Sequence, residues 1–397
     1  MRGITTGLFL LAMAAAAAAQ DQQLGARTKA MGGSYTAFED DPVSVWLNPA
    51  GISTQTNSMS VAYQTYVTYP LHREKAEGST VVEYSAEAET TFVDPAFVPS
   101  YLGFVFQIGD PESPMAVGIC YARPYHINYS FDHVDDPAQT VFTADSNVDQ
   151  SFNRFRVAFA KDFRIRKAGE AGFFTHLSAG VAIDAGYTRW EFTSIGDDAT
   201  DNVTGFGAGA GLLLGLYDNA ESLRVNFGLA WQSSLDWDFN VDPDVCPAFD
   251  MPQQLNVGFT FYLLEGFPLR ATVDLQWIEW SRTADNSLFP GKEEFEDVIN
   301  FSLGFEYRIP LNEARTLNLY PRLGYRRFDA PWGDKDRMPM TSNYQLVLDT
   351  DGEAFNLLTF GAGLAWSSEA GKLRSVDIAG DVGGDSYSLA MGFNYEF

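Results

Sequence analysis

The residues best placed to do chemistry are arginines in an unusual setting. Arg154, Arg156, Arg224, Arg270, Arg308, Arg322 and Arg326 fall in phase with small or polar neighbours, in segments whose opposite phase is apolar. A cation held that way can pair with an acid, or it can grip a carboxylate ligand by bidentate hydrogen bonds. Acids are at hand: Asp184, Asp274, Glu306 and Asp377 share the polar phase, and Glu39, Asp40 and Asp41 form a knot near the N-terminus. Buried charges are usually paired, so pairing is the default. Arg154 or Arg156 is expected to meet Asp40 or Asp41. The candidates for a ligand's anionic group are Arg154, Arg156, Arg224 and Arg322.

Other chemistries lack their residues. The histidines are His72, His126, His133 and His176, and no Ser-His-Asp spacing can be assembled around His176 and Ser178. A hydrolase needs nucleophile, base and orienter to converge, so no enzyme is read. Cys120 falls in a predicted strand and Cys246 in a predicted loop, which gives neither a stapling disulfide nor a metal-ligand pair. Acidic pieces such as Asp197-Asp198 lack EF-hand spacing and read as solvated loops. No cofactor is expected. The formal net charge of −26 repels phosphate backbones, and no basic stripe counters it, so nucleic acid is excluded as a partner.

The elements that carry these side chains alternate with period two. Phe301, Leu303, Phe305, Tyr307 and Ile309 lie on one face, with Ser302, Gly304, Glu306 and Arg308 on the other. The pattern recurs through Leu223–Trp231, Leu255–Leu263 and Leu389–Phe397. Aromatic-rich strands with tight turns suit the 31 Phe, 18 Tyr and 35 Gly. Mean hydropathy is −0.14, and beyond residue 20 no run is long and apolar enough for a membrane-spanning helix. That leaves β-strands free to cross a bilayer, since only alternate residues must be apolar.

We read about fourteen strands between Ser58 and Phe397, an even number as in bacterial single-chain barrels. Their connections alternate between short (Asp110–Pro114, Lys167–Gly172, Asp218–Glu221, Glu265–Phe267, Pro310–Arg315, Ser367–Lys372) and long (Pro70–Ser100, Phe131–Gln150, Thr193–Val203, Asp238–Gln253, Ser281–Asp297, Phe328–Phe355). A soluble sandwich has no reason to order its loops so. An outer-membrane barrel does, with short periplasmic turns and long outer loops. The short outer connection Val382–Ser386 is an exception. Each arginine would cost ~2–4 kcal/mol facing the lipid midplane, which fixes the register with the arginines in the lumen. The expected fold is therefore an all-β transmembrane antiparallel barrel in the bacterial outer membrane, residues 57–397.

Two segments precede it. Met1–Ala19 reads as a signal peptide: Arg2, an apolar core from Gly7, then an alanine run offering an A-x-A cleavage site. Residues 20–56 read as a helical plug for the lumen. Gly32-Gly33 breaks regular structure, Asp41-Pro42 begins a short helix over Val43–Leu47, and Asn48-Pro49-Ala50-Gly51 ends it and turns the chain. The Asn48 side chain is expected to serve the backbone there as a local cap.

Gly25–Ser53 resembles the N-terminal signature of the FadL-type outer-membrane transporter superfamily. The residues that carry the likeness are Ala30-Met31-Gly32-Gly33, Tyr35-Thr36-Ala37, Asp40-Asp41 and Asn48-Pro49-Ala50-Gly51. The segment Met115–Tyr125 resembles that family's third strand. The resemblance implies a plugged barrel that moves hydrophobic compounds such as long-chain fatty acids. A similar signature occurs in PorV-like proteins, which would make the chain a secretion-associated shuttle with a protein partner and a broad polar docking surface. A transporter would instead line its outer rim with apolar residues, and Tyr66, Phe131, Phe289 and Trp332 are placed for that.

Pro124 stands inside a predicted strand, next to Arg123 on a face that is elsewhere apolar. Proline donates no ladder bond, so a kink and a gap between strands would follow. Arg123 and Pro124 would then mark a lateral gate to the surrounding outer-membrane lipid. The other reading ends the strand there, above the membrane.

Overall fold

The computed structural model describes residues 24–64, 71–75, 84–86, 99–110, 113–131, 146–166, 170–194, 197–219, 221–237, 251–263, 268–282, 296–329, 337–341, 344–348, 354–368, 371–383 and 386–397. The leader and the rim residues Tyr66, Phe289 and Trp332 lie outside them. Fourteen long strands follow one another: β1 Ser58–Gln64, β2 Tyr101–Ile108, β3 Met115–Phe131, β4 Ser146–Arg164, β5 His176–Ser194, β6 Asp197–Asn219 and β7 Leu223–Gln232. Then come β8 Gln254–Leu263, β9 Leu269–Ile278, β10 Val298–Tyr307, β11 Leu317–Phe328, β12 Phe355–Ser367, β13 Leu373–Gly383 and β14 Ser386–Glu396. Each pairs antiparallel with the next, and β14 returns to β1 from Ser58↔Glu396 to Gln64↔Ala390. The ladder closes on itself, which leaves the barrel without a first or last strand open to solvent.

The pleat sorts side chains as the alternation predicts. On β5, Ser178 and Asp184 are buried inside while Val181 and Ile183 are 60% and 69% exposed outside. Phe155, Phe206, Leu275, Ile299, Leu358 and Met391 continue the outward apolar band. Arg154, Arg156, Arg322 and Arg326 are buried on the inner face. Arg308 departs from its expected place: β10 stops at Tyr307, and Arg308 stands exposed at the short-turn end.

Three connections differ from the expectation. Thr193–Val203 is not a long loop, because β5 and β6 pair residue by residue out to Ser194↔Asp197. Likewise β4 begins at Ser146, paired with Phe131. Beyond a bilayer neither face of a hairpin must be apolar, so these polar strand ends look like loop. Conversely β7 ends at Gln232, short of Trp237. The chain then turns inward, where Leu235 and Met251 exchange backbone hydrogen bonds. A separate four-stranded sheet, ordered 337–341, 344–348, 71–75, 84–86, joins the β1–β2 connection to the β11–β12 connection. The β13–β14 hairpin lies between those two connections in the barrel order, so its short turn leaves them room to meet.

The plug fills the lumen. It contains α1 Ala26–Ala30, α2 Ser44–Leu47 and a 3-10 turn Pro49–Ile52. The expected helix starts one residue late, and Asp41 Oδ1 accepts from Val43 N at 3.0 Å rather than capping the first turn. Gly32 has φ of 69°, and a Cβ there would lie 2.6 Å from Tyr325 O and 2.8 Å from Leu303 O. Glycine serves both demands, a left-handed turn and direct contact with the wall backbone. The wall answers with Gly304 and Gly324, which pair with each other in the ladder. We expect Gly324→Val to prevent the plug from seating, measured as protease cleavage near Gly32 in an otherwise folded barrel. Resistance equal to wild type would refute this contact.

Candidate functional site

One side of the plug is latched by charge. Arg27 of α1 reaches Glu306 of β10 with Nε and Nη2, both at 2.9 Å, and turns Nη1 to Asp40 at 3.3 Å. Glu306 also takes Arg322 at 2.7 Å and Arg270 at 3.1 Å, and Arg322 continues to Asp377 at 2.6 Å. Arg270 returns to the plug at Asp40, 2.8 Å away, Arg224 meets Glu39 at 2.9 Å, and Lys29 meets Asp381 at 2.6 Å. Burial acts to raise Asp40, but Arg27 and Arg270 outweigh it and hold the carboxyl below its ordinary range. Asp41 goes the other way: burial lifts it, against the pull of Arg27 and the hydrogen bonds from Val43 N and the Tyr35 hydroxyl.

A second contact uses one wall carboxylate as a cap for plug backbone. Asp274 Oδ2 accepts from Tyr35 N at 2.7 Å, Thr36 N at 2.8 Å and Thr36 Oγ1 at 2.7 Å. Sequence phase placed Asp274 in the lumen, but its partners were expected to be arginines.

Across the lumen the plug rests on β3–β6. Arg154 and Arg156 do not meet Asp40 or Asp41. Both bind Asp184 of the adjacent strand, at 2.7 Å from Arg154 Nη2 and 2.6 Å from Arg156 Nε. The reason is register: Arg156 and Asp184 face each other in the ladder, whereas the acidic knot lies on the β9–β10 side. The two guanidinium groups still hold the plug, stacked over the Trp46 ring at 5.2 and 4.7 Å, and Arg156 Nη1 donates to Trp46 O. Asn48, fully buried, donates Nδ2 to Thr36 O at 2.7 Å and to Leu212 O at 3.1 Å, and accepts from Ala50 N at 3.1 Å. The proposed local cap is thus also a tie to β6. Pro49 is buried against Gly180 and Gly211 beside it, whereas Met31 is buried against Gly304 and Gly324 on the β10–β11 side.

The plug leaves a cavity of about 260 Å³ on the periplasmic side, lined by Arg27, Asp40, Gln55, Tyr320 and Asn394 among others. Toward the long-loop end it leaves a polar recess of about 40 Å³ beside Asp274, Ser302 and Arg326.

Above that recess the lumen turns apolar. Phe152, Trp237, Ile278, Trp280, Val298, Phe328 and Leu357 are all buried there. The rings of Phe152 and Trp237 lie 6.5 Å apart, Phe328 stacks on Phe355 at 4.8 Å, and Ile278, Trp280 and Val298 pack together. Trp237 fits because Gly186 and Gly205 carry no side chain beneath it. Sequence reasoning missed this chamber, although a signal existed. Phe152, Ile278, Val298, Phe328 and Leu357 are apolar residues in the polar phase, the last four at or near the outer ends of their strands and Phe152 six residues inside the outer end of β4. Of the residues expected at the rim, Phe131 ends β3 with a side chain outside the described set.

The chamber adjoins an irregularity in the wall. Ala122 faces Arg154 and Tyr125 faces Phe152, so Arg123 and Pro124 together oppose Asn153. This is a bulge, and β3 continues past it to Phe131 instead of ending at the proline. Pairing with β2 runs out at Tyr101↔Ala122, followed by one bond from Arg123 N to Ser100 O at 2.8 Å. Among the described residues, no barrel strand pairs with β3 on that side further up. Arg123 is buried, and the Tyr121 hydroxyl donates to Asn153 at 2.6 Å.

A closed antiparallel barrel with an outward apolar band, a lumenal plug and an apolar upper chamber defines an outer-membrane channel protein. The sequence matches, over residues 8–325, the family described as outer membrane protein transport protein (OMPP1/FadL/TodX), and the chain belongs to it. Its fold is similar to the Ralstonia pickettii toluene transporter TbuX (15% identity, TM-score 0.58, 95% of this chain and 99% of that one). It is also similar to the P. putida toluene transporter TodX (12%, 0.58, 95% and 99%) and to a Pseudomonas aeruginosa FadL homologue (11%, 0.56, 94% and 98%). No curated protein matches the sequence. The family transports small hydrophobic compounds across the outer membrane.

Proposed function

We propose that this chain takes small hydrophobic molecules into the chamber above the plug and releases them sideways at the β3 bulge. The observation that carries the reading is an adjacency: Phe152 of the chamber faces Tyr125, the first paired residue beyond Arg123 and Pro124. Polar backbone at a wall gap is tolerable where it lines a cavity rather than facing lipid. A sideways route also has an energetic rationale. Burying each CH₂ is worth about 0.8 kcal/mol, so an acyl chain released into water would forfeit on the order of 10 kcal/mol.

Long-chain fatty acids and aromatic hydrocarbons both fit an apolar chamber. The toluene transporters among the similar structures favour the second, and so does the pairing of the lumenal cations. Arg154 and Arg156 share Asp184, Arg224 holds Glu39, and Arg322 holds Glu306 and Asp377. A ligand carboxylate would have to displace one of these acids. An uncharged molecule would not. The aromatic chamber and the family also favour transport over the secretion-shuttle alternative.

The test is Pro124→Val, which restores a ladder donor and removes the cause of the bulge. At equal surface expression, cells carrying it are expected to take up toluene and long-chain fatty acid several-fold more slowly than wild type, by roughly the factor of ten that about 1.4 kcal/mol on the barrier would give. Uptake equal to wild type for both compounds would remove the lateral route.

A further inference from the structure

The chain is strongly acidic, yet its lipid-facing periplasmic margin carries a cation that meets no acid among the described residues. The ladder register sets Leu317 beside Trp366, Trp366 beside Arg374, and Arg374 beside Tyr395. This row crosses β11–β14 on their outward phase. Two positions further up β12 and β13 stand Leu364 and Val376, 40% and 39% exposed, and Met391 lies higher on β14. The row therefore sits at the lower edge of the apolar band, at the depth of lipid headgroups.

Arg374 differs from the lumenal arginines of the plug layer, which meet carboxylates. Its guanidinium lies 5.0 Å over the Tyr395 ring, and its Nε is buried without a hydrogen-bond partner. Among the described residues no carboxylate stands within salt-bridge distance of it. The described acids nearby are engaged or displaced: Glu396 accepts from Leu373 N at 2.7 Å, Asp377 is held inside by Arg322, and Glu313 is exposed in the β10–β11 turn. Lys372, two residues before Arg374, is exposed, and among the described residues no carboxylate stands within salt-bridge distance of it either.

We propose that Trp366, Arg374 and Tyr395, with Lys372 beside them, form a binding site for the phosphate of an anionic phospholipid in the periplasmic leaflet. Stacking on Tyr395 orients the guanidinium and leaves N–H groups for two phosphate oxygens, a match for its planar fork. Tyr and Trp settle at the interface with one end in hydrocarbon and the other in the polar layer. The acyl chains of the same lipid then lie over Leu364, Val376 and Met391. The neutralising charge comes from the lipid, because the described residues supply none at this point.

The experiment is native mass spectrometry of the delipidated, full-length barrel with phosphatidylglycerol, phosphatidylethanolamine or inorganic phosphate. Wild type is expected to bind phosphatidylglycerol in preference to phosphatidylethanolamine. Arg374→Gln should weaken phosphatidylglycerol binding about fivefold, the worth of one basic residue at an anionic membrane surface. Arg374→Lys should recover part of it, keeping the charge but losing the fork. Heat-modifiable gel mobility confirms that each variant is folded, and Lys372→Gln gives a second, smaller loss that does not disturb the stack. Equal binding of the two lipids by wild type overturns the proposal, as does equal phosphatidylglycerol binding by wild type and Arg374→Gln. Inorganic phosphate binding as well as the lipid would reduce the site to an adventitious ion only.

Discussion

Replacing Asp184 by alanine unseats the plug and raises the conductance of the barrel to small polar solutes. Two arginines depend on this one carboxylate: Arg156 grips it with Nε at 2.6 Å and Nη2 at 2.8 Å, and Arg154 with Nη2 at 2.7 Å. Arg154 and Arg156 are almost completely buried, at 2% and 1% exposure, beneath Trp46. Removing one partner of a buried pair costs ~3–5 kcal/mol, because the other charge is left uncompensated. Here two arginines lose the carboxylate they share, and water is the means of relief at hand. Water entering under Trp46 opens a path along the wall. Arg156→Ala should act in the same direction but less, since Arg154 still neutralises Asp184. The barrel itself should keep its heat-modifiable migration, because its ladder closes without the plug. Single-channel conductance in planar bilayers measures the effect. A value for Asp184→Ala equal to wild type would show that the plug is sealed without this cluster.

Asn48→Leu should lower the yield of folded, plugged protein far more than Asn312→Leu. The two asparagines make similar local bonds in different surroundings. Asn312 is exposed in the β10–β11 turn, where it accepts from Leu317 N at 3.2 Å and donates to Thr316 Oγ1 at 2.8 Å. Water can take over both roles. Asn48 is fully buried, and leucine there would take their partner from Ala50 N and Thr36 O and cut the tie to Leu212 O. Each buried group left unmade costs about 1–3 kcal/mol. There is little space to relax into: the Asn48 side chain lies so close to Gly211 that a Cβ there would collide with Asn48 Oδ1. Refolding yields into lipid vesicles, compared at equal protein concentration, decide the matter. Equal losses from the two variants would reduce Asn48 to an ordinary turn residue.

Much of the barrel was legible because the deciding pattern is local. A residue's face follows from the parity of its position in a pleated strand, so Arg154, Arg156, Arg322 and Arg326 could be placed in the lumen from their neighbours alone. Legibility failed where a strand leaves the bilayer. At Thr193–Val203 polar residues occupy both phases, and the hairpin could not be told from a loop. It failed again at Trp237, which extends an alternating run in sequence but leaves the strand to enter the chamber.

The sequence by itself determined the alternation, and with it the barrel, the inward arginines and the turn chemistry of Gly32, Asn48 and Pro124. Each of these rests on a residue and its immediate neighbours. Only the tertiary structure decided who meets whom in the lumen. Arg27 finds Glu306, and Tyr35 and Thr36 find Asp274, across most of the chain's length. Those meetings depend on barrel closure and on the height and rotation at which the plug seats, and glycines such as Gly211, Gly228, Gly304 and Gly324 set that seat by leaving room for its backbone and side chains. A glycine in a strand tells the reader that something comes close. What comes close is fixed only when the opposite wall is in place.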